Sequence, residues 1–386
     1  MRSRVLGLAL AAVLASSSFA IAGGFAIREQ SAIGQGSSFA GVAAGSGGLS
    51  SLFWNPAVSS KFNEFGFISE SNAALIAPYS KSDKGSGNIG KLAVVPASYA
   101  AYGLTDQLTL AASMNAPLGL TTDGNDGWVG SPFGDKSAIT TYNFNPSLSY
   151  KLSDVISVGV GVQAEFMSVE LTSRASPSGA QLFALKGDDI GIGFTAGVLF
   201  QPTDTTDIGI GFRSSVKHGL KGKARIGLAN PEITAKFTSP ETVTVGIRQQ
   251  VSDQLALMAG VEWANWSRFE ALDVKSGGAS LLVVPQQWKD SWFISAGAEY
   301  AYNDALTLRT GVAYEKSPVP DATRSVRIPD NDRYWLSLGA SYKLSNSMTA
   351  NLAYSHVFIK DGDVKPLATS FKQHLDIVSI GLTHDW

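Results

Sequence analysis

From about residue 62 to its end, the chain consists of segments of roughly ten residues in which apolar side chains alternate with small or polar ones, each bounded by turn chemistry. A period of two confines the chain to half-apolar β-strands. Within 206–219, Ile208, Ile210, Phe212 and Val216 share one face, while Gly209, Gly211, Arg213, Ser215 and Lys217 share the other. Likewise Tyr142, Phe144, Leu148 and Tyr150 oppose Asn143, Asn145, Ser147 and Lys151, and Tyr334, Leu336, Leu338 and Tyr342 oppose Ser337, Gly339, Ser341 and Lys343. The apolar sets are assigned to lipid. Tyr142, Tyr300, Tyr314, Tyr334 and Tyr342 then fall at membrane interfaces, and Trp386, in phase with Ile380 and Leu382, ends the last segment on an aromatic.

The connections alternate in length. Short ones lie at Thr105-Asp106, Ser153-Asp154, Pro202-Thr203-Asp204, Ser252-Asp253, Asn303-Asp304 and Ser345-Asn346. Longer polar stretches occupy 77–91, 118–139, 172–187, 221–239, 271–287, 317–331 and 360–371. Six short turns and seven long loops make thirteen connections and so fourteen strands, an even number that returns both ends to one side. The expected fold is all-β, a transmembrane antiparallel β-barrel of about 14 strands, closed because lipid satisfies no sheet edge.

Composition agrees. Only 16% of residues are charged and 44% hydrophobic, with mean hydropathy +0.07, as expected when each strand is half apolar. A net charge of −2 leaves no basic footprint for nucleic acid, and the absence of cysteine excludes disulfides and thiol chemistry. His218, His356, His374 and His384 are scattered, and neither G-x-S-x-G nor H-E-x-x-H occurs, so no enzyme, cofactor or metal is expected.

The first residues follow other rules. Arg2 and Arg4, an apolar run from Val5 to Leu14, and Ala20-Ile21-Ala22 form a secretory signal over 1–22, with cleavage expected after Ala22. Residues 23–61 do not alternate. They are rich in Gly, Ser and Ala, yet carry Phe25, Ile27, Ile33, Phe39, Leu49, Leu52, Phe53 and Trp54, which solvent would not favour. The expectation is a hatch inside the lumen of a barrel formed by 62–386, because fourteen strands leave an interior that wall side chains alone do not fill.

Specific residues narrow this further. Gly24-Phe25-Ala26-Ile27-Arg28-Glu29-Gln30, Gly34-Gln35-Gly36 and Phe53-Trp54-Asn55-Pro56-Ala57 resemble the N-terminal hatch of the FadL family of outer-membrane transporters for long-chain fatty acids and other hydrophobic compounds. Ala116-Pro117-Leu118-Gly119-Leu120, Trp128-Val129-Gly130, Asn145-Pro146-Ser147-Leu148-Ser149-Tyr150, Arg213-Ser214-Ser215-Val216-Lys217-His218 and Arg327-Ile328-Pro329-Asp330-Asn331-Asp332-Arg333-Tyr334-Trp335 resemble family segments in the family's order.

The resemblance implies a passive conduit in the bacterial outer membrane, monomeric and surrounded by outer-membrane lipid. Its ligand is a long-chain fatty acid or another hydrophobic small molecule, with aromatic or aliphatic hydrocarbons as the alternative. Loops capture the ligand, a lumenal pocket above the hatch holds it, and a break in the wall releases it sideways. For that break the candidates are Pro96, Asn115, Pro117, Gly119 and Pro146, since proline removes a ladder donor; the plainer reading is that Pro117 ends its strand and the others mark bulges. Leu182, Phe183, Ala184 and Leu185 in one loop, with Ile226, Leu228 and Phe237 in the next, are the capture candidates. Alternation places Arg213, Lys217 and Arg248 in the lumen with Arg309 further round, to hold a carboxylate or to pair with Glu165, Glu262, Glu299 or Glu315. Asn55-Pro56-Ala57 is a turn into the first strand or the anchor of the hatch. A general porin and a barrel enzyme are the other classes considered.

Overall fold

The computed structural model describes residues 23–85, 87–124 and 127–386, so the secretory signal and its cleavage site lie outside the described residues. Fourteen antiparallel strands close into one ring. They are β1 (Phe67–Ser82), β2 (Ala93–Gly103), β3 (Leu108–Asn115 and Gly119–Asp123), β4 (Lys136–Lys151), β5 (Ile156–Arg174), β6 (Gln181–Thr203) and β7 (Thr206–Arg213 and Lys217–Ile226). The ring continues through β8 (Glu232–Thr238 and Thr242–Gln250), β9 (Leu255–Ala264 and Ala271–Ser276) and β10 (Ala279–Pro285 and Ser291–Ala301). It ends with β11 (Leu306–Glu315), β12 (Arg333–Lys343), β13 (Met348–Val364) and β14 (Thr369–Asp385). Closure runs along the whole of β1, from Ile68 opposite Asp385 to Ser82 opposite Phe371.

Alternation sets the facing. Phe144, Leu148, Tyr334, Leu336, Leu338, Tyr342 and Ile380 are exposed on the outside, whereas Asn143, Asn145, Ser149 and Ser337 are buried inside. The expected strand count is met, but several stretches assigned to loops are ladder. Gln181–Asp188 lies in β6, where Phe183 pairs with Ile226 and Asp188 with Lys221, and Glu232–Thr238 pairs with Lys217–Lys223. These hairpins rise above the membrane, where water meets the outer face and apolar residues pack inside. Alternation persists with inverted phase, and such a strand reads as a polar stretch.

One facing assignment fails. Ser214–Val216 interrupts β7, and the interruption shifts the side-chain alternation by one residue. Val216 is therefore buried inside and not turned to lipid, and Lys217 lies on the outer face and not in the lumen. Neighbouring strands break at nearby levels, at Ser239–Glu241 in β8, Asn265–Glu270 in β9 and Gln286–Asp290 in β10.

Residues 23–65 contain no strand and fold inside the ring. A short helix α1 (Ala32–Gly36), capped by Ser31, is followed by tight turns over Val42–Ala44, Gly48–Phe53 and Pro56–Phe65. Gln35 donates to the carbonyl of Ile377 at 3.1 Å, Ser38 to Ser337 at 2.7 Å, Ser59 to Ser149 at 2.7 Å, and Lys61 pairs with Asp207 at 2.8 Å. The segment meets bare backbone. A Cβ added to Gly209, Gly211 or Gly311 would collide with the main chain of Ala43, Trp54 or Ser37, so glycine here is what lets two backbones touch.

Candidate functional site

The first candidate is an opening in the wall. β3 leaves the ladder after Asn115 pairs with Asn143, and Ala116–Leu118 turns inward before Gly119 resumes opposite Thr140. Proline at 117 has no amide proton to give a ladder, so little pairing is lost by the departure. The turned segment finds partners inside. Ile27 N–H donates to the Pro117 carbonyl at 2.8 Å, Gly119 N–H to Phe25 at 2.8 Å, and Thr141 both accepts from and donates to Leu118. The Gln30 amide donates to the Ala116 carbonyl at 2.8 Å and its oxygen accepts from Ala116 N–H at 3.3 Å. Tyr99 donates to the Gln30 carbonyl and receives a bond from Asn115, each at 2.8 Å.

The neighbour is left without a partner. Ser98–Gly103 of β2 pairs with β3, whereas Ala93–Ala97 pairs only with β1. Above the gap, contact resumes where Gly90 bridges Thr122. The result is a window between β2 and β3, with a shallow recess of about 10 Å³ lined by Pro96, Met114, Asn115 and Tyr142. Of the prolines expected to mark a break, Pro117 makes the turn and Pro96 borders the window. Pro146 does not take part, sitting in register opposite Ala112.

Behind the window lies a cavity of about 70 Å³ whose lining includes Ile27, Arg28, Phe53, Pro117, Leu118, Gln163, Arg213 and Val216. It sits at the level where β7 and β8 are interrupted, so broken strands make room that a regular barrel wall would not. Beside it Phe25 is enclosed by aromatic rings, with centroids 4.9 Å from Trp266, 5.4 Å from Trp288, 5.5 Å from Phe237 and 6.0 Å from Phe269. Sequence pattern does not gather this box, because its members come from the inner segment, the ladder of β8 and the interruptions of β9 and β10. The cluster Trp266, Phe269 and Trp288, outside any alternating run, was the available signal.

Charges around the cavity are mostly committed. Arg28 pairs with Glu262 at 2.9 Å and Glu315 at 3.7 Å, and lies over the Phe293 ring. Arg213 donates to the Phe53 carbonyl and to Gln163, with its guanidinium 4.4 Å from the Phe53 ring centroid. Arg248 and Arg309 both bind Glu299, away from the cavity lining, and Lys217 is outside. Glu165 is held by His218 and Asn143. Next to Arg28, outside the membrane-spanning strands, Glu29 is fully buried with neither carboxyl oxygen hydrogen-bonded. Burial pushes its carboxyl up to about 7, Glu315 adds to the rise, and its backbone, Arg333 and Arg28 oppose it.

A further recess of about 40 Å³ lies among the raised hairpins, with an almost wholly apolar lining that includes Leu171, Leu185, Leu220, Ile233, Leu272 and Val274. Leu185 lines it, whereas Phe237 belongs to the aromatic box below. Phe183 packs against the cluster around this recess, while Leu182 is exposed and Leu228, at the β7–β8 hairpin tip, fully so; Ile226 is also exposed. Asn55 stands at the other end of the hatch. Its Oδ1 caps the turn at Ala57 N–H, and its Nδ2 donates to Ala43 at 2.7 Å and to Val198 of β6 at 2.9 Å, with Pro56 opening the turn.

Comparison with known proteins places these features. The model of the outer membrane protein transport protein family (OMPP1/FadL/TodX) matches residues 13–380. The chain belongs to that family. Among its FadL-family relatives, the long-chain fatty acid transport protein of Escherichia coli K12 is 27% identical over 406 residues, covering 91% of each chain. The outer membrane protein P1 of Haemophilus influenzae is 26% identical, covering 93% of this chain and 91% of that one. A solved Pseudomonas aeruginosa FadL homologue superposes with a TM-score of 0.85 at 24% identity over 94% of this chain and 99% of the other. The Pseudomonas putida toluene transporter TodX gives 0.71 at 18% identity, covering 95% and 100%. This FadL-family chain is therefore an outer-membrane transport barrel, in family and in fold.

Proposed function

We propose that this chain carries hydrophobic small molecules passively across the outer membrane, from the apolar recess among the hairpins to the lumenal cavity and out between β2 and β3. One observation carries the reading. Pro117 and Leu118 line the cavity, and the same inward turn deprives Ala93–Ala97 of its partner, so cavity and window share a wall. Backbone left unpaired against lipid costs several kcal/mol per group unless it borders a cavity, which favours a passage over a flaw.

The names of the relatives agree on apolar cargo, a long-chain fatty acid for one and toluene for another. Cavity charge refines this. Glu165, Glu262 and Glu315 line it against Arg28 and Arg213, and Arg28 is already shared between two of those carboxylates. Cargo therefore passes uncharged, as a hydrocarbon or as the protonated form of a fatty acid, and Arg213 steers a polar head without pairing to a carboxylate. Residues 23–65 act as the hatch, anchored by Asn55-Pro56-Ala57, and leave no open water channel. Leu182, Phe183, Leu185, Ile226 and Leu228 form the capture region. A single chain closes its own barrel and works as a monomer without catalysis.

The test is uptake by cells lacking an endogenous transporter and expressing this chain, comparing labelled oleate, decane and toluene with a disaccharide. Faster entry of the apolar probes alone is expected. Equal entry of the disaccharide would restore the porin reading, and no gain for any apolar probe would overturn the proposal.

A further inference from the structure

Outward-facing positions on the raised hairpins carry an unusual density of cations. β7 presents Lys217, Gly219, Lys221, Lys223 and Arg225 outward, its alternate residues His218, Leu220 and Ala224 being buried. β6 adds Lys186, β8 adds Lys236 and β9 adds Lys275, all exposed. Against these seven stand three outward carboxylates on the same strands, Asp188, Glu232 and Asp273, in a chain whose overall charge is −2.

The sheet register fixes their arrangement. Lys186 lies directly opposite Lys223, which faces Glu232 on its other side, and Lys221 is opposite both Asp188 and Thr234, with Thr234 opposite Lys275. Directly opposed side chains sit about 5 Å apart and successive outward positions about 7 Å apart, so the cations form a lattice two to three strands wide. Like charges facing each other across a ladder are destabilising. Lys275 is bound by Asp273 at 3.4 Å, whereas the side chains of Lys186, Lys217, Lys221, Lys223, Arg225 and Lys236 have neither ion pair nor hydrogen bond among the described residues. Asp188 and Glu232 face Lys221 and Lys223 across the ladder, and seven cations against three carboxylates leave an excess of positive charge.

Below this lattice the same outer face is lipid-facing. On β6, Ile190 and Ile192, 67% and 65% exposed, are followed by Phe194. Lys186 stands four residues from Ile190, about 13 Å up the strand. An amphiphile lying along Ile190, Ile192 and Phe194 thus has its head group at the height of Lys186, Lys221 and Lys223. Lys217 and Lys236, level with the uppermost apolar residues, reach the same height by extending their stems upward.

We propose that this face binds a phosphorylated glycolipid of the outer leaflet, with acyl chains on the apolar band of β6 and phosphates on the Lys186, Lys221 and Lys223 lattice. Phosphate suits the patch because its seven cations exceed the three carboxylates among them, and one doubly phosphorylated head neutralises more of that excess than a single carboxylate does. The site faces away from the lumen, and its Lys186 also borders the apolar recess among the hairpins. Glycolipid held here would stand beside the hairpins that form the apolar recess.

The experiment uses the full chain, purified in detergent, mixed with lipopolysaccharide and passed over gel filtration to count phosphate retained per barrel. Parallel arms use chemically dephosphorylated lipopolysaccharide and phosphatidylglycerol micelles. The wild type is expected to retain lipopolysaccharide, and a K186Q/K221Q/K223Q variant to retain at least tenfold less. The corresponding triple arginine variant keeps the charge and is expected to restore retention, and heat-modifiable gel migration verifies that each variant is folded. Unchanged retention by the folded glutamine variant overturns the proposal. So does equal retention of the dephosphorylated lipid or of phosphatidylglycerol.

Discussion

The Gln30 side chain bonds the main chain of Ala116 on both its donor and acceptor sides, so one residue of the inner segment replaces the ladder partner that β3 gives up at the window. Replacing Gln30 by Leu removes both bonds while keeping its bulk. Ala116–Leu118 is then expected to lose its inward hold, and uptake of labelled decane should fall several-fold while gel migration of the folded barrel stays the same. Undiminished uptake would show that the inward turn holds itself.

Rebuilding the turn tests the window directly. Substituting Pro117 by Val and deleting one residue of Ala116–Leu118 favours continuation of β3 along Ala93–Ala97. Apolar uptake is expected to drop at least tenfold with assembly intact, and a rate equal to wild type would place the exit elsewhere.

Asn55 satisfies three groups at once, the Ala57 amide and the carbonyls of Ala43 and Val198. Asn55→Ala leaves these buried without partners, at a cost of roughly 2–3 kcal/mol to the seating of the inner segment. Hydrogen exchange should show Ala40–Ala57 amides less protected by about that margin, with wall amides unchanged.

Glu29 supplies a pH dependence. Its carboxyl is raised by burial from 4.5 to about 7 in the folded chain. The protonated form is thus the one the fold prefers; its stabilisation is complete below about pH 4.5 and is lost as pH rises through about 7, a change of about 3 kcal/mol at most. Relative to the intrinsic base-catalysed rate at each pH, segment 24–34 should be less protected at pH 8 than at pH 6, and Glu29→Gln should abolish that difference in protection. Identical exchange in wild type and variant at both values would show that another group governs the segment.

The acidic balance of the cavity gives a prediction about cargo form. Oleate uptake should fall as the external medium is made more alkaline, while decane uptake should not change with it. Tighter binding of ionised oleate than of oleyl alcohol at pH 9 would instead make Arg213 a carboxylate clamp.

The strand count was legible because alternation and turn length are local, repeated signals that fourteen strands state over and over. What escaped was non-local. Val216 and Lys217 were assigned to the wrong faces since an interruption of three residues leaves composition untouched while reversing every facing beyond it. Gln181–Asp188 looked like a loop because its polar face is the outer one, opposite to the rule that holds inside the membrane. Pro117 announced the window through its missing donor, but Gln30, Tyr99 and the Phe25 box become visible only once the chain has closed on itself.

Gly209, Gly211 and Gly311 give the inner segment a seat of main chain against main chain, without side chains that swing aside to admit a passenger. A floor of that kind is a stopper cast in place, and the proposed route leaves the barrel's lower half without traffic. On the proposed route, cargo that enters from above has to turn, and the corner at Pro117 is where that route bends into the plane of the membrane.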